Sequence, residues 1–267
     1  MNKQTSTKRL IIVLPLLALA AVSCVLSGPR FEIGELQTEV QTVEYSGSSS
    51  VSADIEMGLG DLSISGGAQD LLEAEFSYNV AEMKPDVDLN GERLRVRTPQ
   101  VDVGFDSFWD LDDFQNEWEL AFSDEIALDL EVDLGAGNAH LDLGSLEVTE
   151  LQLDAGAGDV DIDLSNSSAL SELSIDAGVG EITLDLHGDW PQGLDADIQA
   201  GVGEVTIWLP SEVGVRVDVE GGLTDLDTSG LDRDGRSYFN DAWGESDTEI
   251  VVRISAGIGE INLIVVE

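Results

Sequence analysis

The residues of this chain with the most chemical potential are glycines and carboxylates held at fixed spacing. Asp154–Leu164 reads DAGAGDVDIDL, and variants return as DAGVGEITLDL, QAGVGEVTIWL and SAGIGEINLIV. Phosphate-binding loops, calcium-binding repeats and tight structural corners all contain such glycines. A phosphate loop opens a helix after a strand and usually carries a third glycine. That third position here holds His140, Asp161 or Thr183, and a strand pattern follows. Calcium-binding nonapeptide repeats have a far shorter period. Asp159, Asp161 and Asp163 fall on one strand face, as do Asp129, Glu131 and Asp133. Stacked strands would bring such rows to about 4.8 Å from one another. Diffuse binding of calcium or other cations would relieve the repulsion, whereas a discrete calcium site needs convergent loop ligands. No such loop is identifiable, so no metal ligand and no cofactor is assigned.

Catalytic machinery is not evident. His140 and His187 are the only histidines, both at outward positions on different repeats. There is no H-E-x-x-H and no G-x-S-x-G. Carboxylate pairs are too abundant to discriminate anything. The chain therefore reads as a non-enzyme with no catalytic residues.

One thiol remains, Cys24. It follows the basic residues Lys3, Lys8 and Arg9, the apolar run Leu10 to Val22, and the small residues Ala21-Val22-Ser23. That run is short for a membrane-spanning helix and suits a signal peptide over 1–23. Small residues before a cysteine resemble a lipobox, which makes Cys24 the lipidation site. An ordinary secretory signal and an uncleaved anchor are the alternatives. All three place the body outside the cytoplasm. Residues 24–50, ending Ser46-Gly47-Ser48-Ser49-Ser50, read as a lipidated N-terminus and flexible tether. The remaining 51–267 form one repeat domain with insertions at 67–127 and 229–247.

The glycines must be positioned by strands. Aligned on its first glycine, the motif occurs at Gly58, Gly135, Gly156, Gly178, Gly201, Gly222 and Gly257, with central spacings of 21 to 23 residues. Such a period marks a stacked-repeat architecture. Around Gly156, Leu151, Leu153 and Ala155 alternate with polar residues, and Val160, Ile162 and Leu164 do the same beyond it. Period-2 alternation means half-buried strands. One strand–Gly-x-Gly–strand unit cannot bury its apolar face alone, but stacked units share a core. The expected fold is all-β and β-solenoid-like, with about seven units and the glycines as crowded corners.

In the first insertion, Leu72 to Val80 alternates as a strand, although Leu72-Phe76-Val80-Met83 also fits one helix face. Asn90-Gly91 signals a hairpin, followed by Arg93, Arg95 and Arg97, which would compensate carboxylates of a neighbouring strand. Residues 105–120 gather Phe105, Phe108, Trp109, Leu111, Phe114 and Trp118 among acids. They read either as a cap on the stack or as an aromatic binding surface. The second insertion, with Tyr238, Phe239 and Trp243, reads as a protruding loop.

The 267 residues carry 54 Asp+Glu against 12 Lys+Arg, net −42. Removing residues 1–23 takes away three bases and no acids, leaving −45. Nucleic acid is excluded as a partner, because phosphate binding needs basic surface. Cations and cationic polymers are the natural counterparts, and plain solubility is the bland reading.

The runs LDLEVDLGAGNAHLDL, LQLDAGAGDVDIDL, LSIDAGVGEITLDL and VDVEGGLTDLDTSGL, with NEWEL and LLEAEFSYNVAEMKPDV before them, resemble the bacterial toast-rack domain. The resemblance covers roughly residues 50–267. It implies an all-β stacked fold of cell-envelope proteins, among them candidate adhesins and antibiotic-response regulators, and it brings no catalytic residues. The expected function is a non-enzymatic, lipid-anchored, extracytoplasmic protein that binds or adheres. The membrane holds it through its anchor, and its partners are envelope polymers, cations or a membrane sensor. The alternative is an envelope-stress regulator acting on that sensor.

Overall fold

The computed structural model describes residues 33–45, 47, 49–99, 113–165 and 167–266. The expected signal peptide, Cys24, and Phe105, Phe108, Trp109 and Leu111 lie outside them. The described residues form seventeen strands and one 3-10 turn, Ala81–Met83.

The repeat pattern produces two parallel ladders joined at the Gly-x-Gly corners. The arms leading into the corners come from β2 (Ser50–Leu59), β8 (Ala127–Ala136), β10 (Val148–Ala157), β12 (Glu172–Asp185), β13 (Leu194–Pro210), β14 (Gly214–Ser229) and β17 (Glu249–Val266). The arms leading out are β3 (Asp61–Ser65), β9 (Ala139–Asp142), β11 (Val160–Asp163) and the second halves of β12, β13, β14 and β17. Parallel register places equivalent residues over one another. Val132, Leu153, Ile175, Ile198 and Ile254 form one inward column. Leu141, Ile162, Leu184, Ile207 and Leu263 form the facing one. All ten are 1% exposed or less. At about 1.5–3 kcal/mol for each large aliphatic side chain buried, such columns supply most of the drive for folding.

Sequence order and spatial order part at the C-terminus. β17 lies between β13 and β14, parallel to both, so the last strand in sequence is the penultimate one in the stack. The outgoing half of β14 is then an edge strand, and its outward Asp225 and Asp227 guard it against further pairing.

The insertions extend the ladders with antiparallel strands. β4 (Leu72–Val80) pairs with β7 (Asn116–Phe122), and β7 runs parallel to β3. The strand reading of Leu72–Val80 is the one observed; Met83 is buried on the 3-10 turn that follows. β5 (Asp86–Asn90) and β6 (Arg93–Arg97) form the hairpin expected at Asn90-Gly91, with Gly91 at φ +66°. Trp118 is buried in the core and is not part of an exposed aromatic surface. It is 1% exposed, meets Phe76 edge-on at 5.4 Å, and donates Nε1–H to Asn116 Oδ1.

Two expectations need correction. The tether assigned to 24–50 contains a strand, β1 (Ile33–Val43), antiparallel to β4. Its Gln37, Glu39 and Gln41 pair with Tyr78, Phe76 and Ala74, so polar residues occupy the positions where an apolar alternation would have shown. Glu39 is held by the Tyr78 hydroxyl at 3.0 Å and the Lys84 ammonium at 2.6 Å. The second insertion is not a protruding loop. β15 (Asp232–Asp234) and β16 (Ser237–Phe239) form a hairpin that pairs with β14 and buries Tyr238. Asn240 locks the following turn: its Nδ2 donates to the carbonyls of Pro210 and Val213, and its Oδ1 accepts from the Val215 amide.

Candidate functional site

The corner is the feature that the sequence repeats, and it has two distinct glycine positions. A Cβ on Gly135, Gly156, Gly178, Gly201 or Gly257 would run into the carbonyl oxygen of the corner glycine one rung away. Gly222, in the terminal rung, is looser, with its nearest neighbour at 2.8 Å. At Gly58, in the first rung, nothing lies within 4 Å. None of these seven has positive φ. That conformation belongs to the second glycine of each motif, which alignment on the first glycine passed over: Gly60, Gly137, Gly158, Gly180, Gly203 and Gly259. The signal was present, because the second glycine recurs as faithfully as the first until Thr224 replaces it in the terminal rung.

Strands stacked in register turn single carboxylates into rows. Glu56, Asp133, Asp154 and Asp176 lie side by side just before the corner. They line an open groove of about 1060 Å³ together with Met57, Met83 and Pro99. Partial burial, then Asp154, Glu56 and Asp54, push the Asp133 carboxyl above its ordinary range. Partial burial raises Glu131 too, with Asp54, Asp133 and Asp129 adding to it against the opposing pull of Arg93. The groove thus combines crowded negative charge with apolar lining residues.

The arginines compensate the neighbouring row. Arg93 and Arg95 reach the nearly buried Asp54 at 3.1 and 3.5 Å, and Arg97 reaches Asp86 at 3.3 Å. Arg253 spans Asp195 and Asp197. Among the described residues, no group of three or more His, Cys, Asp or Glu side chains is arranged to hold a metal ion.

The outer face beyond the corner places Ser63, His140 and Asp161 on three adjacent strands. His140 Nδ1 lies 3.3 Å from Asp161 Oδ2. The His140 and Asp161 side chains are more than half exposed. His187 Nδ1 contacts Asp185 at 2.6 Å on a different part of the surface.

No helix among the described residues is long and apolar enough to cross a membrane. None of the curated proteins matches the chain. Among solved structures, a candidate cell adhesion protein from Clostridium sporogenes is 27% identical with a TM-score of 0.68, over 87% of this chain and all of that one. A candidate adhesin from Bacteroides fragilis is 14% identical with a TM-score of 0.42, over 86% and 97% of the two chains. The sequence matches the N-terminal domain of toast_rack over residues 32–171 and 166–208. With its stacked corners and that match over more than half its length, the chain belongs to the toast-rack family.

Proposed function

We propose that this protein is a non-enzymatic, lipid-anchored component of the cell envelope. Its β-solenoid-like stack of about seven strand–Gly-x-Gly–strand units is displayed outside the membrane for binding or adhesion. The observation that carries this reading is the likeness to the Clostridium sporogenes cell adhesion candidate, which spans the whole of that chain. The chemistry agrees with it: rows of unneutralised carboxylates and an open amphipathic groove suit binding of cationic ligands rather than turnover. Cys24 is the anchor, following its basic–apolar–small-residue leader.

The test has two parts. Mass spectrometry of the mature N-terminus is expected to find a diacylglyceryl group on Cys24, and Cys24→Ser is expected to release the protein from the membrane fraction. Cells displaying the anchored chain are expected to adhere to cationic polymer surfaces more than cells displaying a Glu56→Gln/Asp154→Asn/Asp176→Asn variant. Equal adhesion of the two would refute binding through the carboxylate rows.

A further inference from the structure

Four large apolar side chains stand exposed in one line. Val179, Val202 and Ile258 lie between the two glycines of their motifs, and Leu223 holds the same position in the terminal rung. They are 55%, 47%, 55% and 77% exposed. Strand register makes them neighbours in the order Val179, Val202, Ile258, Leu223. At the same position, the rungs before them carry Ala157 and Ala136. Solvent-facing rows elsewhere on these strands are largely polar, so the ridge stands out as a patch.

Both flanks of the ridge are acidic or neutral. Two residues downstream runs the row Glu181, Glu204, Glu260, Asp225. Three residues upstream runs Asp176, Gln199, Ser255, Glu220. Arg236 touches only the last of these, Glu220. A membrane with anionic headgroups would be repelled by such a border. A second copy would set one acidic row against another. The charge pattern calls for a cationic partner with an apolar stripe.

The spacing selects its conformation. Adjacent rungs are about 4.8 Å apart, so four span roughly 14 Å along the stack. A helix rises about 5.4 Å per turn and presents one apolar side chain per turn on a stripe at i, i+3/i+4, i+7. An extended strand repeats a face about every 6.6 Å and falls out of step sooner. We propose that the ridge Val179–Val202–Ile258–Leu223 docks a cationic amphipathic helix of a partner, lying along the stack axis with its basic flank over Glu181, Glu204 and Glu260. The proposal deepens the binding reading above by assigning a surface and a partner class.

The experiment uses the purified full chain and a fluorescently labelled Leu/Lys amphipathic helical peptide of about four turns. Binding is read by anisotropy at about 50 and 300 mM monovalent salt. Wild type is expected to bind, more weakly at high salt. Val202→Thr/Ile258→Thr keeps the β-branched shape at exposed positions and is expected to weaken binding roughly tenfold or more. Val179→Thr/Leu223→Thr serves as an independent second variant. Glu181→Gln/Glu260→Gln is expected to weaken low-salt binding and flatten the salt dependence. Val40→Thr, on the distant β1, is expected to change nothing. Each variant is first shown to keep the wild-type melting transition. Unchanged binding in both ridge variants overturns the proposal, as does equal binding of a scrambled, non-amphipathic peptide. Ridge-dependent binding to neutral phosphatidylcholine vesicles, or ridge-dependent self-association, in place of peptide binding, also overturns it. Peptide binding does not depend on the anchor, so a negative result at Cys24 leaves this test intact.

Discussion

Gly180 sits directly over Gly158 in the next rung, with φ +146° and its missing side chain facing the Gly158 carbonyl. Any Cβ at Gly180 would collide with backbone, in a conformation that L residues rarely adopt. The same relationship links Gly158 to Gly137 and Gly203 to Gly180, so one glycine column sets how closely the rungs approach.

Corner substitutions should therefore grade by position. Gly180→Ala is expected to destabilise by about 3 kcal/mol or more, combining φ strain and backbone collision. Gly178→Ala, with ordinary φ but a nearby carbonyl, is expected to cost about 1–3 kcal/mol. Gly58→Ala meets open space and is expected to stay within about 0.5 kcal/mol of wild type. Denaturant titration of the three variants checks the order.

Crowded carboxylates give stability a definite dependence on pH. Asp133 and Glu131 hold protons more firmly folded than unfolded, because burial and like charges raise their folded values. Their contribution is fully favourable below the ordinary carboxylate range and is lost as pH rises through the raised values. Asp133→Asn is therefore expected to stabilise at pH 7, by a few tenths of a kcal/mol given solvent screening. The gain should close below about pH 4. Raising monovalent salt from about 0.01 to 0.1 M should lift the wild-type melting temperature more than that of the variant.

Strand exchange at the C-terminus makes the stack all-or-none there. Deleting residues 249–266 would remove β17 from between β13 and β14. In a strictly sequential stack, loss of the last unit leaves a shorter, folded stack. Here β14 loses β17 along its whole length and keeps only the short pairing of Arg216–Asp218 with β16, and protease sensitivity is expected to spread back to Gly214. A truncated chain still protected through 214–229 would contradict this.

Asn240 is the polar knot of the C-terminal turn. Asn240→Ala strands the Val215 amide and the carbonyls of Pro210 and Val213 in a buried site. The expected cost is roughly 2–4 kcal/mol by thermal or chemical unfolding. Asn138→Ala, at an exposed position beside Asp61, is expected to cost about 1 kcal/mol or less.

The sequence by itself determined the local grammar of this protein. Period-2 alternation at Leu151–Ala155 and Val160–Leu164 specified strands and which face they bury, because a strand's side chains alternate whatever lies beyond it. The spacing of 21 to 23 residues specified stacking, because one such unit leaves its apolar face uncovered. Only the tertiary structure decided what long-range pairing alone can set. β17 enters between β13 and β14 because its Ile250, Val252, Ile254, Ile261 and Leu263 continue the inward columns in register with both neighbours, which sequence order does not reveal. β1 was hidden because an edge strand with Gln37, Glu39 and Gln41 toward β4 carries no apolar rhythm. The Val179–Val202–Ile258–Leu223 ridge was four separate residues until parallel register laid them side by side, since rows across rungs exist only once strands are paired.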